Sequence, residues 1–154
     1  MRRLFATAWT IWLFDFATKS WALRSLSIEP RKILGSFLQL TLVRNSGAAF
    51  NFAAGFTILF SLLALSVVIA TIYFAPTITS GGWQLSIGLL LGGVLGNLTD
   101  RIFREPSFLS GHVIDWIQVP HWPVFNIADG AISIAALIAF GLSVRNIPPI
   151  TRVG

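Results

Sequence analysis

Cysteine is absent from this 154-residue chain, and charged residues make up only 11% of it. Without thiols, the chain can form no disulfide bond and can use no cysteine for catalysis or metal binding. A soluble protein carries roughly 25% charged residues, so this chain has too few charges to cover a water-facing surface. Because 55% of its residues are hydrophobic, we predict that lipid surrounds most of its exterior.

Acidic residues are fewer than basic ones, which gives a formal net charge of +5. The basic residues are scattered and form no block of the kind that binds a nucleic-acid backbone, so no nucleic-acid partner is expected. Anchoring by Lys and Arg at the membrane surface is the interpretation that we favour. Arg2 and Arg3 fall on one side of the predicted membrane, whereas Arg31 and Lys32 fall on the other. The charge distribution therefore does not decide the orientation.

Four apolar segments are long enough to cross a bilayer as helices of about 20 residues. They cover approximately residues 4–23, 55–75, 83–103 and 123–144. The first follows Arg2-Arg3 in the manner of a secretory signal, but it contains Asp15 and Lys19 and lacks a small-residue cleavage site, so we expect a retained helix. The sequence thus predicts an α-helical integral membrane protein with four transmembrane helices in a single domain, residues 1–154.

Two long connecting segments, approximately residues 24–54 and 104–122, fall on the same side of the predicted membrane. Spans one and three end on that side, and spans two and four begin there. Residues 37–43 alternate apolar and polar side chains, which is typical of a β-strand. We therefore predict a small extramembrane platform that contains β-structure. In the third span, Gly92, Gly93 and Gly96 indicate close packing between helices.

Polar residues gather near the membrane boundary on the side of this platform. They are Asp15, Lys19, Asn45, Ser46, Asn97, Asp100, Arg101, Asp115, Asn126 and Asp129. Ionisable and amide side chains are costly at membrane depth and usually line a functional site. Beside its neighbour Arg101, Asp100 is expected to form a structural ion pair and to stay ionised.

Two of the acids are candidates for chemistry, although each has a structural explanation. Asp129 stands three residues after Asn126, the spacing of a helix N-cap, so capping alone could explain it, and both roles could hold together. Asp115 could be a solvent-facing loop acid, but its neighbours Ile114 and Trp116 favour a carboxyl group that keeps its proton near neutral pH. Capping and catalysis both remain open at this point.

A pair of adjacent carboxyl groups can hydrolyse a peptide bond without a metal ion or a cofactor. Two like charges cannot both ionise easily when close, so the pair shares one proton. The ionised member activates water, and the protonated member polarises the scissile carbonyl and later protonates the leaving amine. No Ser-His-Asp arrangement is recognisable, and His112 and His121 form no standard metal-ligand spacing with the acids.

Five short motifs occur along the chain in a fixed order. They are Asp15-Phe16-Ala17-Thr18-Lys19, Arg44-Asn45-Ser46-Gly47-Ala48-Ala49-Phe50, Gly96-Asn97-Leu98-Thr99-Asp100-Arg101, Val113-Ile114-Asp115-Trp116 and Phe125-Asn126-Ile127-Ala128-Asp129. Each motif alone is weakly specific, but all five on four spans are specific together. In this respect the chain resembles the lipoprotein signal peptidases, the signal peptidase II family. Phe16 and Gly130 depart from the residues common in that family.

The resemblance implies roles for the matching residues. The catalytic pair would be Asp115 and Asp129. Because a helix N-terminus favours a negative charge, our own hypothesis is that Asp129 is the ionised base and Asp115 the protonated acid. Substrate-binding positions would be Asn45, Gly47, Arg101 and Asn126. Supporting positions would be Asp15, Lys19, Asn97, Asp100 and Ala128.

The same resemblance implies an activity and a location. The substrates would be diacylglyceryl-modified prolipoproteins, cut just before the lipidated cysteine, with membrane lipids as the surroundings and no cofactor or metal. The enzyme would be a monomer of the bacterial cytoplasmic (inner) membrane, with its termini in the cytoplasm and its active site toward the outer face. The alternative is a non-enzymatic four-span transporter or assembly protein with structural buried acids. Another class of intramembrane aspartyl protease carries Gly-x-Gly-Asp, which this sequence lacks.

Overall fold

The computed structural model describes residues 1–47 and 53–150, which form four long helices and a three-stranded sheet. In chain order, these elements are α1 Arg2–Ser25, β1 Arg31–Leu34, β2 Leu38–Asn45, α2 Ala53–Phe74, α3 Gly81–Phe103, β3 Val113–Gln118 and α4 Ile127–Val144. A 3-10 turn, Ala75–Thr77, follows α2. Three residues of the second sequence motif, Ala48, Ala49 and Phe50, lie outside the described residues.

Helices occupy all four segments in which membrane spans were predicted. Two stretches among the described residues are long and apolar enough to cross a membrane, Thr57–Thr77 and Ile127–Val144, with mean hydropathies of 2.5 and 2.0. The helices α1 and α3 contain four of the six ionisable side chains of the polar cluster, including Lys19 and Asp100, which lowers their overall hydropathy. That α1 and α3 also cross the membrane remains a prediction.

The sheet has the order β1-β2-β3, and both of its strand pairs are antiparallel. The strand predicted from the alternation over residues 37–43 is confirmed as β2. Val43 faces Asp115 and Asn45 faces Val113 across the pair of β2 and β3. Because side chains two residues apart share a face of a strand, Asn45 and Asp115 are diagonal neighbours on the same face of the sheet.

The helices are arranged so that one end of the bundle carries the polar cluster. At the other end, the indole Nε1 of Trp83 near the start of α3 donates to the carbonyl of Ile147, just after α4, at 2.7 Å. At the polar end, the backbone N–H of Ala128 in the first turn of α4 donates to Asp15 of α1 at 2.9 Å. The helix α4 therefore runs antiparallel to α1 and α3, and its first turn lies at the polar end.

Three glycines of α3 allow the helices to approach closely, as the sequence indicated. A Cβ atom at Gly92 would lie 2.7 Å from the carbonyl oxygen of Ala8 in α1, and one at Gly93 would lie 2.6 Å from that of Ala128 in α4. A Cβ atom at Gly96 would lie 2.5 Å from a carboxylate oxygen of Asp15. Small residues thus permit α3 to contact both neighbouring helices at the level of the polar cluster.

This packing predicts a stability loss for Gly92→Ala. The added methyl group would meet backbone of α1, which cannot rotate away as a side chain can, so α1 and α3 must separate. We expect the variant to lose about 1–3 kcal/mol of stability, measured by thermal unfolding in detergent. The control is Gly141→Ala in α4, where an added Cβ meets no atom within 4 Å. Equal unfolding temperatures for the two variants would contradict the close packing of α1 on α3.

Candidate active site

A buried lysine stands at the centre of the polar cluster. The ammonium group of Lys19 lies 2.7 Å from Asp15 Oδ2 and 2.9 Å from Asp100 Oδ2, and it donates to Asn97 Oδ1 at 2.9 Å. The ammonium group therefore has three oxygen neighbours, two from carboxylates and one from an amide. Asp15 and Asp100 are buried as well. This ion cluster therefore joins α1 to α3 inside the protein.

The two carboxylates of the ion cluster also hold backbone of the elements that carry the candidate catalytic acids. Asp15 Oδ1 accepts a hydrogen bond from the N–H of Ala128 at 2.9 Å, one residue before Asp129. Asp100 Oδ2 accepts one from the N–H of Ile114 at 3.1 Å, one residue before Asp115. Hydrogen bonds to ionised groups are stronger than those between neutral groups. The ion cluster thus fixes the backbone next to Asp115 and next to Asp129.

Asp129 takes part in a capping box at the start of α4. Asn126 is the N-cap residue, whose side chain accepts from the N–H of Asp129 at 3.0 Å, while Asp129 Oδ2 accepts from the N–H of Asn126 at 3.1 Å. The capping geometry expected from the sequence is confirmed. The second oxygen, Asp129 Oδ1, accepts from Asn97 Nδ2 at 2.8 Å. An acid in the first turn also interacts favourably with the helix dipole.

Asp115 lies on β3, and its side chain is turned inward toward the start of α4. Only 1% of it is exposed. Its Oδ1 accepts a hydrogen bond from Asn126 Nδ2 at 2.6 Å, and its Oδ2 accepts one from Asn45 Nδ2 at 2.9 Å. Asn126 therefore contacts both acids, Asp115 through its amide nitrogen and Asp129 through the capping box. The fold thus brings the two predicted catalytic carboxyls together around a single residue.

Burial raises the pKa of Asp115 to about 6, well above its ordinary value of 3.8. The hydrogen bond from Asn45 acts in the opposite direction, and the negative charge of Asp129 raises the pKa further. Asp115 consequently holds its proton at pH values where an exposed aspartate is ionised. Its proton is lost as the pH rises through about 6.

The effect of the Asp129 charge on Asp115 predicts how the protonation of Asp115 responds to Asp129→Asn. The substitution removes the negative charge that raises the pKa of Asp115. The titration midpoint of Asp115 should therefore fall below the wild-type value of about 6. Infrared spectroscopy of the carboxyl C=O band across a pH series measures that midpoint, and Asp115→Asn identifies the band. A midpoint that is unchanged or higher in Asp129→Asn would contradict electrostatic coupling between the two acids.

Arg101 is placed differently from the sequence expectation. Asp100 pairs with Lys19 and with the Nε of Arg104, not with Arg101, so the expected ion pair between neighbours is wrong. The Arg101 guanidinium instead lies beside Gly47, where an added Cβ atom would be 3.1 Å from Nη2. Its Nη1 is buried and has no hydrogen-bond partner among the described residues. Arg101 can therefore offer donors to a molecule bound near the acids.

The segment that follows β2 brings two more predicted residues to the site. Gly47 has φ = 80°, a backbone conformation that glycine adopts readily. The backbone N–H of Gly47 donates to Asn45 Oδ1 at 2.8 Å. That bond orients the Asn45 amide so that its nitrogen faces Asp115. The hydroxyl of Thr57 donates to the carbonyl of Ser46 at 2.6 Å and ties the segment to α2.

The sequence did not single out two groups that support the site, Arg104 and the backbone N–H of Ile114. Arg104 stands four residues after Asp100 on α3, a spacing at which helical side chains meet, so this pair could have been predicted. The bond of Ile114 joins residues 14 positions apart, and the sequence gives no signal for it. His112 and His121 line separate cavities, apart from each other.

Comparisons with known proteins indicate the family of this chain. A family model described as signal peptidase (SPase) II matches residues 7–145. The lipoprotein signal peptidase of Mycolicibacterium smegmatis is 46% identical over 147 residues, which cover 92% of this chain and 63% of that protein, slightly less than two thirds of its length. The lipoprotein signal peptidases of Streptomyces coelicolor and Rhodococcus jostii are each 42% identical, over 95% of this chain and 72% and 74% of their own lengths.

Two solved structures, each described as a bacterial membrane enzyme, have a similar fold. The first has a TM-score of 0.83 at 27% identity and covers 94% of both chains. The second has a TM-score of 0.80 at 26% identity, over 95% of this chain and 90% of the other. The helices and the small sheet are thus shared with known membrane enzymes over nearly the whole chain.

Proposed function

Because this chain belongs to the signal peptidase II family, we propose that it removes signal peptides from diacylglyceryl-modified prolipoproteins by using Asp115 and Asp129 as an aspartyl dyad. The observation that carries the proposal is that one residue, Asn126, contacts both carboxyl groups, that of Asp115 through its side-chain amide and that of Asp129 through its backbone N–H. The match to a peptidase family also favours an enzyme over a non-enzymatic transporter or assembly protein.

In the proposed reaction, the ionised carboxylate of Asp129 takes a proton from water, whose oxygen attacks the scissile carbonyl carbon. The protonated carboxyl of Asp115 donates its proton to the carbonyl oxygen, and a tetrahedral diol forms. The diol then collapses and the C–N bond breaks: the proton held by Asp129 passes to the leaving amine, and one hydroxyl returns its proton to Asp115 as the carbonyl re-forms. The products are the free carboxyl end of the signal peptide and the amino group of the lipidated cysteine. The raised pKa of Asp115, about 6, suits the donor role.

The polar side chains that face the dyad provide substrate contacts in this proposal. Arg101 Nη1, which has no partner in the described part of the chain, would donate to a backbone carbonyl of the signal peptide near the scissile bond. Asn45 and Asn126 would orient the acids while leaving the water position between them open. Gly47 keeps the path beside Arg101 clear, since any larger residue would place a Cβ 3.1 Å from the guanidinium.

In this proposal the supporting residues act on the dyad and do not contact the substrate. Lys19, Asp15 and Asp100 hold the backbone next to each acid, and Asn97 hydrogen-bonds Asp129 directly. Ala128 donates the N–H that Asp15 accepts. We infer that these residues set the distance between Asp115 and Asp129 and touch no part of the substrate.

The setting of the site suits a substrate that is anchored in lipid. This chain is a membrane protein, and we propose that all four helices cross the bilayer with the dyad at one boundary. The lipid tails of the substrate could then stay in the bilayer while the peptide bond reaches the acids. We place the protein in the bacterial cytoplasmic membrane, with its termini in the cytoplasm, its site toward the outer leaflet and a monomer as the working unit.

Cleavage of a synthetic lipopeptide by purified protein tests this proposal. The peptide carries a signal sequence and a cysteine, either diacylglyceryl-modified or free, and mass spectrometry identifies the products. We expect cleavage just before the modified cysteine. The peptide with the free cysteine should be cleaved much more slowly, because it has no lipid tails to hold it at the membrane. Equal cleavage of both forms would contradict lipid-dependent recognition, and no cleavage of either by folded protein would contradict the proposed function.

A further inference from the structure

A basic cavity lies beside the platform, apart from the dyad. It has a volume of about 300 Å³ and lies where the ends of α1 and α3 meet β2 and β3. Its lining includes Leu23, Arg44, Phe103, Arg104, Glu105 and His112. Three of these side chains can donate hydrogen bonds from cationic or imidazole nitrogens, and one is acidic. The cavity therefore has an excess of positive charge.

The donors of this cavity are available to a ligand. Arg104 is held through its Nε by Asp100, and its two terminal nitrogens make no hydrogen bond or ion pair to the described residues. Arg44 and His112 likewise have no side-chain hydrogen bond, and Glu105 forms no ion pair with any of the three, among the described residues. A guanidinium group held in place by a carboxylate is well prepared to bind a phosphate with its remaining N–H groups.

An apolar groove borders the basic cavity at Phe103 and extends toward the opposite end of the bundle. It encloses about 490 Å³ between α1, α2 and α3, and Phe103 lines both the groove and the cavity. Phe5, Trp9 and Leu91 line it farther along. The Trp12 indole, a polar group in its wall, is satisfied by the hydroxyl of Thr99 at 2.9 Å. The Trp12 indole therefore requires no polar partner from a molecule in the groove.

The length of the groove fits one hydrocarbon chain. From Leu91 to Phe103, α3 rises by about 18 Å at 1.5 Å per residue. One leaflet of the hydrocarbon core is about 15 Å thick. A molecule with an anionic head at the level of Arg44 and Arg104 and an acyl chain beside α3 would fill both spaces at once.

We propose that the basic cavity and the apolar groove together bind one anionic phospholipid, with its phosphate between Arg44, Arg104 and His112 and one acyl chain along the groove. The site is distinct from the dyad, but the two are linked, because the Asp100 that holds Arg104 also binds the N–H of Ile114 next to Asp115. The proposal depends on membrane placement and not on the peptidase mechanism.

Native mass spectrometry of the full chain in detergent tests this site without any cleavage assay. The protein is titrated with dioleoyl phosphatidylglycerol, with dioleoyl phosphatidylcholine and with inorganic phosphate. We expect one phosphatidylglycerol to be retained and phosphatidylcholine to bind on the order of tenfold more weakly. Inorganic phosphate, which lacks the chains, should not displace the lipid. Equal binding of the two lipids, or displacement by phosphate, would overturn the proposal.

Two matched charge removals locate the bound lipid. Arg44→Gln removes a donor from the cavity, and we expect phosphatidylglycerol to bind it on the order of tenfold more weakly. Arg31→Gln removes the same charge from β1, outside the cavity, and should bind the lipid as the wild type does. Unchanged unfolding temperatures verify that both variants are folded. An equal loss in the two variants would assign binding to general surface charge and overturn the site.

Discussion

Replacing either Asp115 or Asp129 with asparagine is expected to lower kcat/KM for a diacylglyceryl prolipopeptide on the order of 10³-fold or more. An amide has nearly the same shape as the carboxyl group, but it can neither take a proton from water nor return one to the leaving amine. Because the acids act as a unit, the double variant should lose no more activity than either single variant. Initial rates of cleavage by purified proteins measure all three.

The folding control for this experiment follows from the environment of Asp115. Its pKa in the folded protein, about 6, exceeds its ordinary value of 3.8, so its ionisation opposes folding as the pH rises through that interval. At pH 7.5, Asp115→Asn should therefore unfold at no lower temperature than the wild type. Glu29→Gln, an exposed acid before β1, should keep full activity. Rapid cleavage by either dyad variant would contradict the catalytic assignment.

Lys19→Met is expected to destabilise the protein by about 3–5 kcal/mol. The substitution keeps much of the side-chain volume but leaves the buried carboxylates of Asp15 and Asp100 without their shared cation. Asp100 still has Arg104 as a partner, whereas Lys19 is the only cation paired with Asp15 among the described residues. Thermal unfolding in detergent measures the loss, and cleavage should fall along with it because both acids lose their backbone supports.

Two further variants separate this explanation from a general effect of charge. Lys32→Met removes an exposed lysine from β1 and should change stability little. Adding Asp15→Asn to Lys19→Met removes the unpaired carboxylate, so the double variant should recover part of the lost stability. If the double variant is less stable than Lys19→Met alone, the loss does not come from an uncompensated charge on Asp15.

The sequence predicted the helices and the central strand from apolar length and alternation, but it placed the start of the last helix too early. The apolar run begins at about residue 123, whereas α4 begins at Ile127. The residues before it are apolar for another reason, since Phe125 pairs with Ile117 at the edge of β3. Hydrophobicity alone does not distinguish a short strand partner from the first turn of a helix.

Within the site, local spacing was informative where one helix provides both partners. The Asn126 and Asp129 capping box was predictable because the two residues belong to the same first turn. The predicted partner of Asp100, its neighbour Arg101, was wrong because successive residues on a helix point in different directions. Arg104, four residues on, faces Asp100, and Arg101 points toward Gly47.

The contacts that join the site across the fold could not be derived from spacing. Lys19 and Asn97 are 78 residues apart, and Asp15 and Ala128 are 113 apart. Motif resemblance indicated that these residues belong together, but it did not indicate which atoms meet. The pairing of Lys19 with two carboxylates and the contact of Asn126 with both acids depend on how three helices and a strand pack.

The most direct test is a structure of the protein bound to a lipopeptide in which a hydroxyl-bearing tetrahedral carbon replaces the scissile carbonyl. If Asp115 and Asp129 act as one catalytic unit, that hydroxyl should lie within hydrogen-bond distance, about 3 Å or less, of both carboxyl groups. A hydroxyl that contacts neither acid, or only one of them while the other faces away, would contradict a shared role for the pair.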